Sequence, residues 1–183
     1  MAPEVGFEQK IEILLDAAKI AGRVRELGRE ITADYRGRSP HLLGILKGAW
    51  VFLADLVRHI DLPVTVDFIA IQSYGADTSS SGEVKITKHL DTSIEGREVL
   101  VIEDILDTGR TFHFLESVLG AHNPKSVKLV ALLDKVSRRV IPVRADYVGF
   151  EIPDLFVVGY GLDYAQKYRQ LPDICVLRSI PSV

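Results

Sequence analysis

The stretch Val99–Thr111, VLVIEDILDTGRT, decides how this chain is read. A strand over Glu98–Ile102 is predicted by the apolar run Val99–Ile102, of the kind buried on both faces of a parallel sheet. Glu103 and Asp104 close it, and a short turn follows through Asp107, Thr108, Gly109, Arg110 and Thr111. A helix is predicted over Arg110–His122. The first N–H groups of a helix lack internal partners and carry partial positive charge, so the turn suits an anion. Gly109 lets the backbone wrap closely, and the two threonine hydroxyls add donors. This is the pattern of a monophosphate cradle. Carboxylates beside it make sense if the ligand also presents hydroxyls, because they accept from a vicinal diol and suit Mg²⁺. Ribose 5-phosphate has both groups. The Asp-Thr-Gly triplet alone fits a helix N-cap at Asp107 equally well, with Glu103 and Asp104 as a solvated strand end.

Working outward, apolar strands and helices alternate. Strands are expected at His41–Leu46, Val64–Ile71 and Val127–Leu133, with helical spacing over Ala49–Ile60. Shorter strands are expected at Tyr147–Glu151, Phe156–Tyr160 and Cys175–Arg178. Val84–His89 reads as a strand or a loop arm. Lys10–Leu15 fits either a strand or the start of a helix, with Asp16 as a possible N-cap of a helix reaching about Tyr35. Ser73–Glu83 is polar and contains glycine and three consecutive serines, so a mobile loop is expected. The alternation predicts an α/β fold with a parallel sheet flanked by helices, whose sites lie beyond the carboxyl ends of the strands.

Composition narrows the function classes. Lys plus Arg number 22 and Asp plus Glu 25, a net charge of −3, which argues against a broad nucleic-acid-binding surface. Cys175 is the single cysteine, so neither an internal disulfide nor a cysteine-cluster zinc site is available. No apolar run approaches the ~18 residues that span a bilayer, and Met1–Gly6 has no signal-peptide pattern. A soluble, cytoplasmic protein with no membrane partner is expected. The five histidines are scattered and receive no chemistry. A Walker A loop and a GxGxxG turn are both missing, against ordinary nucleoside triphosphatases and dinucleotide enzymes.

The Val99–Thr111 string resembles the phosphoribosyl-pyrophosphate signature of type I phosphoribosyltransferases. With LLGILKGAW, VDFIAIQSYG, KLVALLDK, YVGFEIPDLFVVGYGLDY and YRQL in order, the chain from about His41 to Leu177 resembles the hypoxanthine-guanine phosphoribosyltransferases. The resemblance implies a single domain over residues 1–183: a twisted parallel-sheet core at about 37–150, and a small hood built from about 1–16 and 151–183. It implies transfer of 5-phosphoribosyl from phosphoribosyl pyrophosphate to N9 of a 6-oxopurine, with Mg²⁺, in a homodimer or homotetramer.

Residue by residue, the resemblance gives Glu103 and Asp104 the ribose hydroxyls and Asp107 the role of general base at purine N7. Asp107, Thr108, Gly109, Arg110 and Thr111 take the 5-phosphate. Lys47-Gly48 and Arg169 take pyrophosphate, and in the family the peptide between the first two is often cis. Here the family's second glycine is Ala49. Lys135 donates to the purine 6-oxygen, which suits a 6-oxo group and repels a 6-amino group. Phe156 stacks on the ring, and Val157 and Asp163 offer backbone carbonyls to a 2-amino group. Glu103, Asp104 and Asp163 are the implied metal ligands. Ser73 and Tyr74 open the implied lid loop. Taken singly, Lys47, Lys135 and Arg169 also read as surface cations, and Phe156 as a core aromatic. Three alternatives stay open: a phosphoribosyltransferase for xanthine or a pyrimidine, a sensor of phosphoribosyl pyrophosphate without catalysis, and a sugar-phosphate binding domain.

Overall fold

The computed structural model describes residues 11–73 and 84–178. A six-stranded sheet forms from β2 (His41–Leu46), β3 (Thr65–Ser73), β4 (Val84–Lys88), β5 (Glu98–Leu106), β6 (Ser126–Asp134) and β7 (Tyr147–Glu151). Its order is β4-β3-β2-β5-β6-β7, parallel except for β4, which runs antiparallel to β3 at one edge. The central strands are apolar on both faces because helices cover both. Leu42, Leu100, Ile102, Val130 and Leu132 pack with Ile20, Val24, Leu27 and Ile31 of α1 (Ala17–Asp34) and with Phe52, Leu53 and Leu56 of α2 (Trp50–Val57). Their alternate neighbours Leu43, Val99, Val101, Leu129 and Ala131 pack on Phe112, Leu115 and Leu119 of α3 (Arg110–Gly120). Period-two alternation thus assigns each side chain to one of two cores.

A second, antiparallel sheet of three strands joins β1 (Ile11–Leu15), β9 (Ile174–Leu177) and β8 (Val157–Val158), in the order β1-β9-β8. Lys10–Leu15 is therefore a strand where it is described, pairing Ile11 with Leu177. Asp16 then caps α1 by accepting from Lys19 N at 2.8 Å, and Asp173 accepts from Ala17 N at 2.7 Å. The start of α1 is fastened to the small sheet by this second carboxylate. Arg23 of α1 donates to the carbonyls of Val148 and Gly149 at 2.8 and 3.1 Å, covering the exposed edge of β7.

Two element boundaries differ from the sequence reading in ways that matter. Strand β5 does not stop at Ile102 but continues to Leu106, because β6 runs alongside it as far as Asp134. Glu103 and Asp104 therefore lie within a strand rather than beyond its end. The Phe156–Tyr160 strand shrinks to Val157–Val158, since Gly159 and Tyr160 turn away with φ of 97° and 49°. No helix among the described residues is long and apolar enough to cross a membrane.

Candidate active site

Parallel pairing of β2, β5 and β6 brings their carboxyl ends to one edge of the sheet. The segments that leave there are Lys47-Gly48, Asp107–Gly109 and Lys135. Gly109 is the N-cap of α3, with φ of 85°, a conformation open to glycine at little cost. A Cβ at this position would also stand 2.9 Å from the Ile141 carbonyl. The turn is braced from outside: Val140 N and Ile141 N both donate to Thr108 O at 3.0 Å, and Arg139 donates to the Asp107 carbonyl. Asp107 does not cap the helix. Its carboxylate instead accepts from Arg138 Nε at 3.2 Å.

Beneath this turn the acidic pair is held half-buried. Asp104 Oδ1 accepts from Ile105 N at 3.0 Å, whereas Glu103 Oε2 is buried with no hydrogen-bond partner among the described residues. Burial, with the Asp104 charge beside it, pushes the Glu103 carboxyl well above the usual range. Burial also raises Asp104, to about 6, against the lowering effect of Ile105 N–H and Arg169. Two desolvated carboxylates, one with an orphaned oxygen, suit a cation or a set of hydrogen-bond donors. Hard oxygen donors fit Mg²⁺. Among the described residues no group of three or more His, Cys, Asp or Glu side chains converges as a metal cage.

Next to the pair, the backbone at Gly48 presses on Asp104, leaving no room for a Cβ at 48. Behind it, Gly161 presses on the Gly48 carbonyl in the same way. Arg169 Nη1 donates to Gly161 O at 2.7 Å, and Nη2 pairs with Asp163 Oδ1 at 2.7 Å. Lys47 Nζ donates to Gln166 Oε1 at 3.3 Å, and Gln166 N donates to Asp163 Oδ2 at 2.8 Å. The turn that supplies these groups holds Tyr160, Ala165, Gln166 and Tyr168 at positive φ. Such strained non-glycine backbone concentrates at ligand clamps. The cis peptide lies between Leu46 and Lys47, one bond earlier than the Lys47–Gly48 position expected from the resemblance.

A hollow of about 410 Å³ opens between the cradle and the small sheet, lined by Ile105, Asp107, Lys135, Asp154, Phe156 and Asp163 among others. Lys135 is only 7% exposed, so its charge is largely withdrawn from water, and its ammonium stands 3.9 Å from Asp154 Oδ1. Phe156 is 40% exposed and meets Tyr164 edge-on, with centroids 5.6 Å apart. A larger hollow of about 590 Å³ lies behind Arg169, against Trp50, Val51 and Leu171, with neither Asp107 nor Lys135 on its wall. Asp107 at the lip of the cradle, Lys135, Arg138, Asp154 and Asp163 line the smaller one, whereas Arg169 is on the wall of the larger.

The profile of the Phosphoribosyl transferase domain matches residues 10–165, most of the chain. The chain belongs to the phosphoribosyltransferase family. It is 52% identical over 167 residues to the hypoxanthine-guanine phosphoribosyltransferase of Bacillus subtilis, covering 91% of this chain and 93% of that protein. It is equally similar, at 52% over 167 residues, to part of the bifunctional protein TilS/HprT of Listeria innocua, of which it covers 26%. A crystal structure of a hypoxanthine-guanine phosphoribosyltransferase from Bacillus anthracis superimposes with a TM-score of 0.87 at 46% identity, covering 91% of this chain and 98% of that one.

In this phosphoribosyltransferase, Asp107, Lys135, Phe156, Val157 and Asp163 line one hollow. Lys47, Gly48, Asp104, Asp163 and Arg169 are linked through the contacts above. Glu103 adjoins Asp104 in β5 but is not clustered with Asp163 into a metal cage. Thr108, Arg110 and Thr111 occupy the turn and first residues of α3, with Arg110 exposed. Ser73 ends β3, opposite Val84, while Tyr74 and the rest of the expected lid lie outside the described residues. Sequence reasoning passed over Arg138, Asp154 and Gln166. Asp154 stands inside the quoted IPDLF stretch and Arg138 three residues after Lys135, so proximity to those motifs was the available signal.

Proposed function

We propose that the chain carries 5-phosphoribosyl from phosphoribosyl pyrophosphate to N9 of hypoxanthine or guanine, releasing IMP or GMP and pyrophosphate in purine salvage. One observation carries this reading: a carboxylate at the lip of an anion cradle (Asp107) and a buried ammonium (Lys135) share one hollow with an exposed aromatic face (Phe156). A 6-oxopurine fits between them, its 6-oxygen at Lys135, N7 at Asp107 and ring against Phe156. The 5-phosphate takes residues 107–111, and Glu103 and Asp104 accept from the ribose hydroxyls. Lys47, Gly48 and Arg169 hold pyrophosphate, with the Arg169 fork suited to its oxygens.

In the reaction the anomeric C–O bond breaks with its electron pair leaving on pyrophosphate, the N9–C bond forms, and the N7 proton passes to Asp107. Glu103, Asp104 and Asp163 are the residues that would hold Mg²⁺ together with ligand oxygens, and the ion would supply charge neutralisation for the departing group. A buried ammonium only donates, so a 6-amino group offers Lys135 no acceptor and such a purine is refused. Self-association as a homodimer or homotetramer, and a reducing cytoplasmic setting for the buried thiol of Cys175, belong to the same reading. The test is Asp107→Asn assayed by single turnover with hypoxanthine, phosphoribosyl pyrophosphate and Mg²⁺. The chemical step is expected to slow by ~10²–10⁴-fold, the usual worth of a general base. An unchanged rate removes Asp107 from the role.

A further inference from the structure

Four charged side chains alternate along the wall of the purine hollow. Lys135 Nζ lies 3.9 Å from Asp154 Oδ1, Arg138 Nη1 lies 3.6 Å from Asp154 Oδ2, and Arg138 Nε lies 3.2 Å from Asp107 Oδ1. Lys135 and Arg138 sit at the two ends of one turn, where Arg138 N donates to Lys135 O at 3.0 Å. Asp154 faces both from the segment leading to β8, giving one carboxylate oxygen to each.

Both purine-facing groups are therefore already engaged. Asp107 accepts from a guanidinium, so its Oδ1 already has a donor where N7 would have to meet it. Lys135 shares Asp154. The structure points to an exchange, which rests on the function proposed above. We infer that Asp154 is a positioning residue that ties recognition of the 6-oxo group to release of the base. When Lys135 turns to the purine oxygen, a neutral acceptor, Asp154 keeps Arg138 as its only cation. Arg138 then shifts its fork onto both Asp154 oxygens, and Asp107 comes free to meet N7. No charge is created or lost: the Lys135–Asp154 and Arg138–Asp107 contacts give way to a second Arg138–Asp154 contact and to the bond between the ammonium and the purine carbonyl. A purine without the 6-oxygen does not draw Lys135 away, so Asp107 stays occupied. Discrimination then falls on the chemical step as well as on binding.

The side chains of Arg138 and Asp154 are 48% and 52% exposed, so substitutions there spare the core. Single-turnover rates with saturating phosphoribosyl pyrophosphate and Mg²⁺ are compared for wild type, Asp154→Asn, Arg138→Met, the double variant, and Asp154→Asn with Arg138→Lys. Asp154→Asn leaves Arg138 with Asp107 alone, and is expected to slow hypoxanthine turnover about fivefold, the rate equivalent of the ~1 kcal/mol of an exposed ion pair. Arg138→Met alone is expected to speed turnover of a purine lacking the 6-oxygen about fivefold. Added to Asp154→Asn it restores hypoxanthine turnover to within twofold of wild type, whereas Arg138→Lys, which keeps the cation, does not. A double variant slowed by the product of its single effects, or Asp154→Asn at the wild-type rate, overturns the exchange. Failure of wild type to form IMP overturns the proposed function itself, and the exchange with it.

Discussion

Gly48→Ala tests the contact on which the pyrophosphate segment and the acidic pair are assembled. A Cβ at this position overlaps the Asp104 carboxylate, with Oδ1 at 3.0 Å and the other oxygen far inside contact distance. The segment cannot retreat, because Gly161 already touches the Gly48 carbonyl and Val51 Cγ2 lies just behind, 3.5 Å from where a Cβ at 161 would stand. Asp104 must yield instead, by more than about 1 Å. Its carboxylate is the end of a short side chain, so the thermodynamic cost is that of ordinary overpacking, ~1–3 kcal/mol, or about 2–12 °C in Tm for a chain of this size. The functional cost is steeper, since a ~1 Å misplacement at a reacting centre takes about 10²-fold from the rate. Steady-state kcat/KM for phosphoribosyl pyrophosphate should fall about 100-fold, while circular dichroism shows a folded protein. Gly22→Ala is the control: it lies in α1 with nothing within 4 Å of a new Cβ, and should add ~0.5–1 kcal/mol of stability without touching kcat/KM. A Gly48→Ala enzyme within threefold of wild type would refute the reasoning.

Three further outcomes follow from contacts described above. Glu103 and Asp104 have carboxyl pKa values raised in the folded chain, so the native state binds more protons than the unfolded one. Their stabilising contribution is present at low pH and is lost as pH rises, for Asp104 through about 6, whereas donor binding, which needs ionised carboxylates, strengthens as they ionise. Tm of the ligand-free protein between pH 5 and 8 should show that loss, and Glu103→Gln should flatten it; an equally steep profile in the variant would count against the pair as its source. Lys135→Gln supplies an acceptor as well as a donor, so adenine rejection should relax by ~10-fold or more in competition assays against hypoxanthine. Arg23→Ala exposes the Val148 and Gly149 carbonyls on the β7 edge and should cost ~1–3 kcal/mol in urea unfolding, with kcat unchanged.

Much of the sheet could be read from the chain because its central strands are buried on both sides, and runs such as Leu42–Ile45 and Leu129–Leu133 have no other use. The limits were physical. Ile11, Leu14 and Leu15 satisfy helical and strand spacing alike, and only a partner at Leu177 decides between them. Glu103 and Asp104 looked like a strand end because carboxylates are poor strand residues, yet pairing with β6 carries β5 past them. The site motifs beyond β2, β5 and β6 were legible as strings. Arg138, Asp154 and Gln166 were not, since a charged or amide loop residue reads as solvated until the fold brings it a distant partner, 31 positions away for Arg138 and Asp107. Cis geometry at Leu46–Lys47 leaves no mark on composition or periodicity.

The pairing of β1 with β9 has a bearing on synthesis. Ile11 waits for Leu177, which is translated 166 residues later, and β8 in turn hangs on β9. A ribosome-bound chain that stops short of Ile174 has every strand of the large sheet, yet no means to secure the flap that carries Phe156. Unfinished chains would therefore emerge with a gripping surface for phosphate but without a firm seat for a purine, and a truncation series arrested in vitro should gain donor binding before it gains turnover.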